Sequence, residues 1–416
     1  MADLPPFADA QSTDPCTLGW MQGHPPPRDK LVRFADSSHY RFPQTRYSYS
    51  HMREFSATRA VPRGGPVAEL PRAERDALDA VRFETLGEHR PMTWAEAFDA
   101  SYTDGLVVLH RGCIVYEKYF GALRPEGQHI AFSVTKSFTG LLGAMLVHEG
   151  VLDEHAPVSR WVPELAASAF GPATIRQLLD MTTGLDYSEN YADPAAHIHA
   201  HARAGGFFPR AADEPGPDSF YEFLKTVRPL GRHGEAFAYK TVNTDALGWV
   251  IRRATGCGLA QLLSERLWQP LGAEQDAYFG IDSHGTEFAG GGLNTGLRDL
   301  ARVGEMMRCG GEFNGQRIVP AAVVADIERG ADRAHFASAG YATLPGASYR
   351  NMWWVLHNAH GAYAARGVHG QLIYIDPLAE MVIARYASHP MAANVHLDPT
   401  SLPAWQAMGE HLRRGL

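Results

Sequence analysis

A serine three residues ahead of a lysine occurs once in this chain, as Ser133-Val-Thr-Lys136. On a helix, residues i and i+3 share a face, so hydroxyl and amine become neighbours. At a helix's first turn, unpaired N–H groups and the positive dipole end stabilise a developing oxyanion. Burial there disfavours an ammonium and makes a neutral, proton-accepting lysine accessible, which supplies the serine with a base. The competing structural reading is a lysine snorkelling beside a capping serine. A second segment, Phe237-Ala-Tyr239-Lys240-Thr241-Val242-Asn243, precedes a helix expected from Thr244. Its phenol beside a lysine suits proton relay to a leaving group; a core tyrosine is the alternative. In a third, Gly367-Val368-His369-Gly370-Gln371, glycines bracket a polar edge leading into a strand, where backbone N–H groups can meet a substrate carbonyl.

These segments need a scaffold. Around Ser133 to Glu149 the apolar residues Phe138, Leu141, Leu142, Met145 and Leu146 keep a helical period, and Gly150 sits where a left-handed C-terminal residue belongs. Small residues at Gly140, Gly143 and Ala144 predict close packing, hence a buried central helix. Just upstream, GLVVLH, RG and CIVYEKYF read as an antiparallel hairpin. From 166 to 284 helical segments dominate: Thr174 capping IRQLLDM, then Asp218 to Val227, Thr244 to Thr255 closed by Gly256, and Leu259 to Leu267. After the glycine cluster 290–292 come a helix from Thr295 to Arg308, strands at 372–376 and 381–387, and a last helix from Pro403 to Arg414.

Strands towards both ends with helices between them predict an α/β (α+β) fold, in which 95–165 and 285–416 share one antiparallel sheet around an inserted helical domain, 166–284. Within the insertion, the polar, Gly- and His-rich stretch 186–217 is too long for an ordinary connection and reads as a lid or specificity loop. Residues 1–94, rich in Pro, Arg, His and Tyr, read as an arm laid over the body, with one short helix from Pro71 to Val81.

At 416 residues, 45% hydrophobic and 20% charged, the chain is a compact globular protein. Its net charge of −8, without a basic run or stripe, argues against nucleic acid and anionic membranes and for a small-molecule substrate. The longest apolar stretch, Leu141 to Val147, falls far short of the ~20 residues that cross a bilayer. The first residues carry acids where a signal peptide needs positive charge, so the expected location is cytoplasmic. Cys16, Cys113, Cys257 and Cys309 lie far apart and form neither a disulfide framework nor a zinc pattern.

Taken in order, the three chemical segments resemble the serine β-lactamase-like hydrolases: class C β-lactamases, DD-peptidases and related esterases and amidases. The likeness covers about Asp104 to Ser388, with EGVLDEHAPVSRWVPEL, LLDMTTGLDY and GGGLNTGLRDLARVG as supporting landmarks. Within that group SVTKS, DYSENYADP, YKTVNTD, MWW and GVHGQ are similar to the 6-aminohexanoate-dimer (nylon oligomer) hydrolases. The resemblance implies a β-lactamase/transpeptidase-like fold and no cofactor. It makes Ser133 the nucleophile, Lys136 its base and Tyr239 the proton relay, with the Ser133 and Gln371 amides as oxyanion hole. It puts Tyr191, Asn243, His369, Gly370 and Gln371 against the substrate. The implied activity is hydrolysis of small linear amides or esters through an acyl-enzyme, 6-aminohexanoate oligomers included.

Two departures weaken a β-lactamase reading. Thr241 stands two residues after Tyr239 where β-lactamases have Asn, with Asn243 two further on. His369 replaces a lysine on the strand edge and is a weaker partner for a β-lactam carboxylate. Remaining competitors are an acyltransferase or weak β-lactamase on the same site, and a non-catalytic binding protein that keeps the fold. His197-Ile-His199-Ala-His201 invites a metal reading if extended, since alternate residues then share a side. No carboxylate or cysteine at a recognisable spacing joins them, so no metal is expected and a solvated lid is the simpler reading. Oligomeric state is open, with a homodimer as the candidate assembly.

Overall fold

The computed structural model describes residues 7–211 and 213–415. Residues 1–6, part of the expected arm, and residue 212, part of the expected lid, lie outside the described residues. The centre is an antiparallel sheet made from two distant parts of the chain. Its strands are β1 (Thr103–His110), β2 (Cys113–Tyr119), β3 (Ser348–Arg350), β4 (Trp353–Val355), β5 (Tyr363–Gly367), β6 (Gln371–Asp376) and β7 (Met381–Ala387). Spatial order is β3-β4-β5-β6-β7-β1-β2, so the N-terminal hairpin closes one edge by pairing β1 with β7.

Side chains alternate across this sheet. Val107, Leu109, Ile373, Ile375, Val382 and Ala384 face the large core shared with the inserted helices. Leu106, Val108, Leu372, Tyr374, Met381 and Ile383 face a second core under the C-terminal helix. With both faces covered, β1, β6 and β7 are buried along their whole length, and their sequences are correspondingly apolar.

The helices that matter to the site are α1 (Val134–His148), α2 (His197–Ala204), α3 (Val242–Thr255), α4 (Leu297–Arg308) and α5 (Asp398–Arg413). Every residue of α1 from Val134 to Leu146 is buried. A side chain at Gly140 would overlap Asn351 O and Met352 Cβ, and one at Gly143 would press on Leu247 and Leu179, so the small residues are what admit the helix. Its polar groups hold its neighbours: Ser137 Oγ donates to Met352 O (2.7 Å), Thr139 Oγ1 to Ala289 O (3.0 Å), and Thr135 Oγ1 accepts from Leu293 N (3.1 Å).

Three expectations change. The helix from Pro71 to Val81 is only a 3-10 turn at Asp76–Ala80. Residues 71–75 instead run along the β2 edge: Ile114 N donates to Pro71 O, Ala73 N to Ile114 O and Arg75 N to Val115 O. Covering an exposed strand edge outweighs the local helical pattern. The last helix begins five residues early, at Asp398, with Pro403 inside it. Proline lacks the N–H that would bond Pro399 O, and Leu86 N donates to that carbonyl instead (2.8 Å). Residues 293–296, expected partly as helix, form a strand in a smaller sheet with 58–61, 277–280 and 128–130.

Gly140→Ala tests the packing of α1. Overfilling against backbone at 351 is expected to cost about 1–3 kcal/mol, measured as a lowered denaturation midpoint, whereas Ala at exposed Gly87 runs into no neighbour and affects only its left-handed turn.

Candidate active site

Ser133 opens α1 in helical geometry, and its side chain makes no capping bond, so the hydroxyl stays available. Phe132, just before it, is held at φ 42°, a strained conformation for a residue with a side chain. The amides of Val134, Thr135 and Lys136 bond the carbonyls of 131, 132 and 133, which puts the Ser133 N–H ahead of the helix's own bonded set. Lys136, 1% exposed, reaches back along the helix face to place Nζ 2.8 Å from Ser133 Oγ and 2.5 Å from Gly290 O. This is not a snorkelling lysine. Burial pulls its pKa down to about 8, against the upward pull of Glu189 and Asp245.

Gly290 has a specific reason. A side chain there would strike Thr241 Cγ2, so only glycine brings this carbonyl to the amine. Its N–H donates to Asp245 Oδ1 (3.2 Å), and Asp245 Oδ2 lies 3.1 Å from His201 Nε2. His201 Nδ1 in turn meets the Tyr187 hydroxyl at 3.0 Å. Asp245 and His201 are buried in contact with each other, behind the lysine's carbonyl partner.

Tyr239 comes from the segment just before α3. It borders the same space as Ser133, and Lys136 Nζ lies 5.2 Å from its ring centroid. Desolvation holds the phenol well above its ordinary pKa, which keeps its proton in place for donation. Lys240, the sequence neighbour, points elsewhere: its amine bonds Leu185 O. The lysine that lies over this phenol is Lys136.

Two lobes of one cleft meet at Ser133. The larger, about 550 Å³, is bordered by Lys136, Phe132, Tyr49, Phe208, Val368 and His369 among others. The smaller, about 400 Å³, is bordered by Tyr239, Tyr341, Trp354, Arg366 and Val368. Tyr191 and Glu189 border both. Tyr191 donates to Glu189 Oε1 (2.9 Å), and Glu189 is fixed by Thr241 N (2.7 Å) and Thr241 Oγ1 (2.7 Å) at the start of α3.

The strand edge needs correction. Gln371 turns its amide into the sheet, donating to Val368 O and Ala387 O and accepting from Ala387 N, and it does not border either lobe. Gly370 is likewise structural: at φ 100° it packs against Ala387 and Leu397, and its carbonyl accepts from Arg385. His369 does border the larger lobe. It is itself in a left-handed conformation (φ 62°), meets His389 O through Nδ1 (2.7 Å), and stands 5.5 Å from Phe132 and 5.3 Å from Tyr49, ring to ring. Burial pushes it down to about 4, so it is a neutral wall. A side chain on Gly367 would come 3.1 Å from Ser133 N, so β5 ends directly against the start of α1, and the next residue, Val368, borders both lobes with Ser133.

Asn243 is also displaced. Fully buried in α3, it accepts from Thr183 Oγ1 (2.6 Å) and borders neither lobe. The three histidines are helical, not extended, which overturns the shared-side geometry: His197 Nδ1 accepts from Ser188 N, His199 borders the larger lobe, and His201 pairs with Asp245. Glu189, Asp245, Gly290 and Val368 were given no role in the sequence reading, although all four sit inside segments it singled out. The signal for Gly290 was the run of three glycines; nothing local marks Asp245.

The family model described as Beta-lactamase matches residues 94–398. The 6-aminohexanoate-dimer hydrolase of Paenarthrobacter ureafaciens is 35% identical over 349 residues, covering 84% of this chain and 86% of that enzyme. Esterase EstB of Burkholderia gladioli is 32% identical over 213 residues, covering 47% of this chain and 49% of it. Among solved structures, a Bacillus anthracis chain classed with the 6-aminohexanoate-dimer hydrolases superposes with a TM-score of 0.83 at 32% identity, covering 90% of this chain and 96% of that one.

A neutral Lys136 as base predicts an acidic limb in kcat/KM with a midpoint about 8. Asp245 raises that lysine's proton affinity, so Asp245→Asn is expected to move the limb to lower pH, read from ester hydrolysis profiles of both proteins. A limb that stays in place would detach Asp245 from the lysine.

Proposed function

The chain belongs to the Beta-lactamase family and is a serine hydrolase of that fold, and from this premise we propose that it cleaves small amides or carboxylic esters through an acyl-enzyme on Ser133. The carrying observation is Lys136 Nζ, buried, depressed in pKa and 2.8 Å from Ser133 Oγ. Lys136 takes the serine proton as Oγ attacks the substrate carbonyl carbon. The carbonyl oxygen gains the negative charge and accepts from the backbone N–H groups of Ser133 and Val368, the second of which replaces the expected Gln371. Tyr239 gives its proton to the departing nitrogen or oxygen and is reprotonated from the Lys136 ammonium. Water then attacks the acyl-enzyme with the same groups acting in reverse, which restores Ser133.

Neutral His369 offers no cation to a β-lactam carboxylate, which favours neutral linear substrates over β-lactams. The relatives named above act on 6-aminohexanoate dimers and on esters, and both classes fit this chemistry.

Ser133→Ala is expected to abolish turnover of p-nitrophenyl acetate and the acetyl mass increment seen on rapid quenching of the native protein. Retained turnover in that variant would exclude the reading. Tyr239→Phe is expected to slow anilide hydrolysis by ~10²–10⁴ while p-nitrophenyl esters lose far less, because nitrophenolate leaves unprotonated. Equal losses on both would deny Tyr239 the relay role.

A further inference from the structure

We propose that the larger lobe is the acyl site and that it is built for an uncharged apolar or aromatic acyl group, in preference to an ammonium-terminated chain such as 6-aminohexanoyl. The inference rests on the acyl-enzyme reading above and adds which substrate class that enzyme prefers.

The assignment of lobes follows from where the proton donor stands. The leaving group must lie within reach of Tyr239, and Tyr239 borders only the smaller lobe. The acyl chain therefore extends from Ser133 in the other direction, past Phe132 and Lys136, into the space of about 550 Å³. Its wall is aromatic: Tyr40 and Tyr49 come from the N-terminal arm, Phe132 from the turn before α1, Phe207 and Phe208 from the segment after α2, and Phe288 from the loop before Gly290. These rings pack on one another, with Tyr40 and Phe208 at 4.9 Å, Tyr49 and Phe132 at 4.8 Å, and Phe207 and Phe288 at 5.1 Å, so arm and lid close the lobe together.

Charge gives the second half. An ammonium taken into such a space needs a carboxylate or several acceptors in return. Among the described residues bordering the lobe, Glu189 is the one carboxylate. It stands at the junction, bordering both lobes, and its oxygens are engaged by Tyr191 and Thr241. A charge at the far end of a six-carbon acyl chain is carried beyond it, among aromatic rings. The histidines there, His199, His369 and His396, are bases that never carry negative charge, and none of them offsets a positive charge.

Four p-nitrophenyl esters separate the terms: hexanoate against 6-aminohexanoate changes only the terminal charge, and phenylacetate against acetate adds only the ring. With the native protein at pH 7, hexanoate is expected to exceed 6-aminohexanoate in kcat/KM on the order of 100-fold, and phenylacetate to exceed acetate by about tenfold or more. Phe208→Ala is expected to lower the phenylacetate-to-acetate ratio by about tenfold, a ratio that general loss of folded protein leaves unchanged. If 6-aminohexanoate is turned over as well as hexanoate through a Ser133-dependent acyl adduct, this inference falls and the hydrolase reading stands. If none of the four esters acylates Ser133, both fall.

Discussion

The site depends on keeping one amine away from water. Lys136 is enclosed at the first turn of a helix that is itself enclosed, and its Nζ has two short oxygen contacts, Ser133 Oγ and Gly290 O. A fully charged ammonium there would be costly without a carboxylate in contact, so the amine is pushed towards its neutral form. Complete loss of the proton affinity would be equally unhelpful, because the base must hold a proton between attack and expulsion. Glu189 and Asp245 oppose the desolvation from outside contact distance and leave the lysine poised.

That balance explains features that have no meaning separately. Gly290 must be glycine to bring a carbonyl to the lysine past Thr241, and Asp245 fixes that peptide from its N–H side. The same carboxylate faces His201 of α2, while Glu189, eight residues before the start of α2, is fixed by Thr241 at the start of α3. The long polar stretch is thus fastened to α3 at two points that also set the field at Lys136. Its position and the base's proton affinity share the same residues.

What the sequence made legible follows from how local each feature is. The Ser133 to Lys136 pairing needs only a helix, and the helix shows in its apolar period and in the glycines that later prove to be close contacts with Asn351 and Leu247. The hairpin and the last two strands were legible for the same reason, since their alternation matches the two cores. The edge after β5 was not. Which of four consecutive residues borders the cleft is decided by a turn in which His369 takes a left-handed conformation, and that turn sends Gln371 into the sheet and leaves Val368 bordering both lobes with Ser133. Asn243 failed because the helix starts at Val242, which rotates it away from the cleft that Tyr239 borders. The histidine run alternates like an extended segment, whereas Ala200, Ala202 and Ala204 favour helix and the helix brings His201 to Asp245.

The asymmetry of the cleft has a cause in the chemistry. The proposed base and proton donor border the space around the same hydroxyl, but Lys136 comes from the helix that begins at Ser133 and borders the larger lobe, while Tyr239 comes from the segment before α3 and borders the smaller. On the proposed assignment, a substrate places its acyl and departing halves in fixed lobes. The proposed catalytic groups ride on the start of α1 and on the segment just before α3, and both helices are buried over most of their length. Tyr40 and Tyr49 of the arm and Phe207 and Phe208 after α2 supply part of the aromatic wall of the proposed acyl lobe, and Lys136 Nζ is held by other groups, Ser133 Oγ and Gly290 O. Acyl preference can thus change through Tyr40, Phe207 and Phe208 while the field around Lys136 is left alone, and kinship in the catalytic residues carries no obligation to share a substrate.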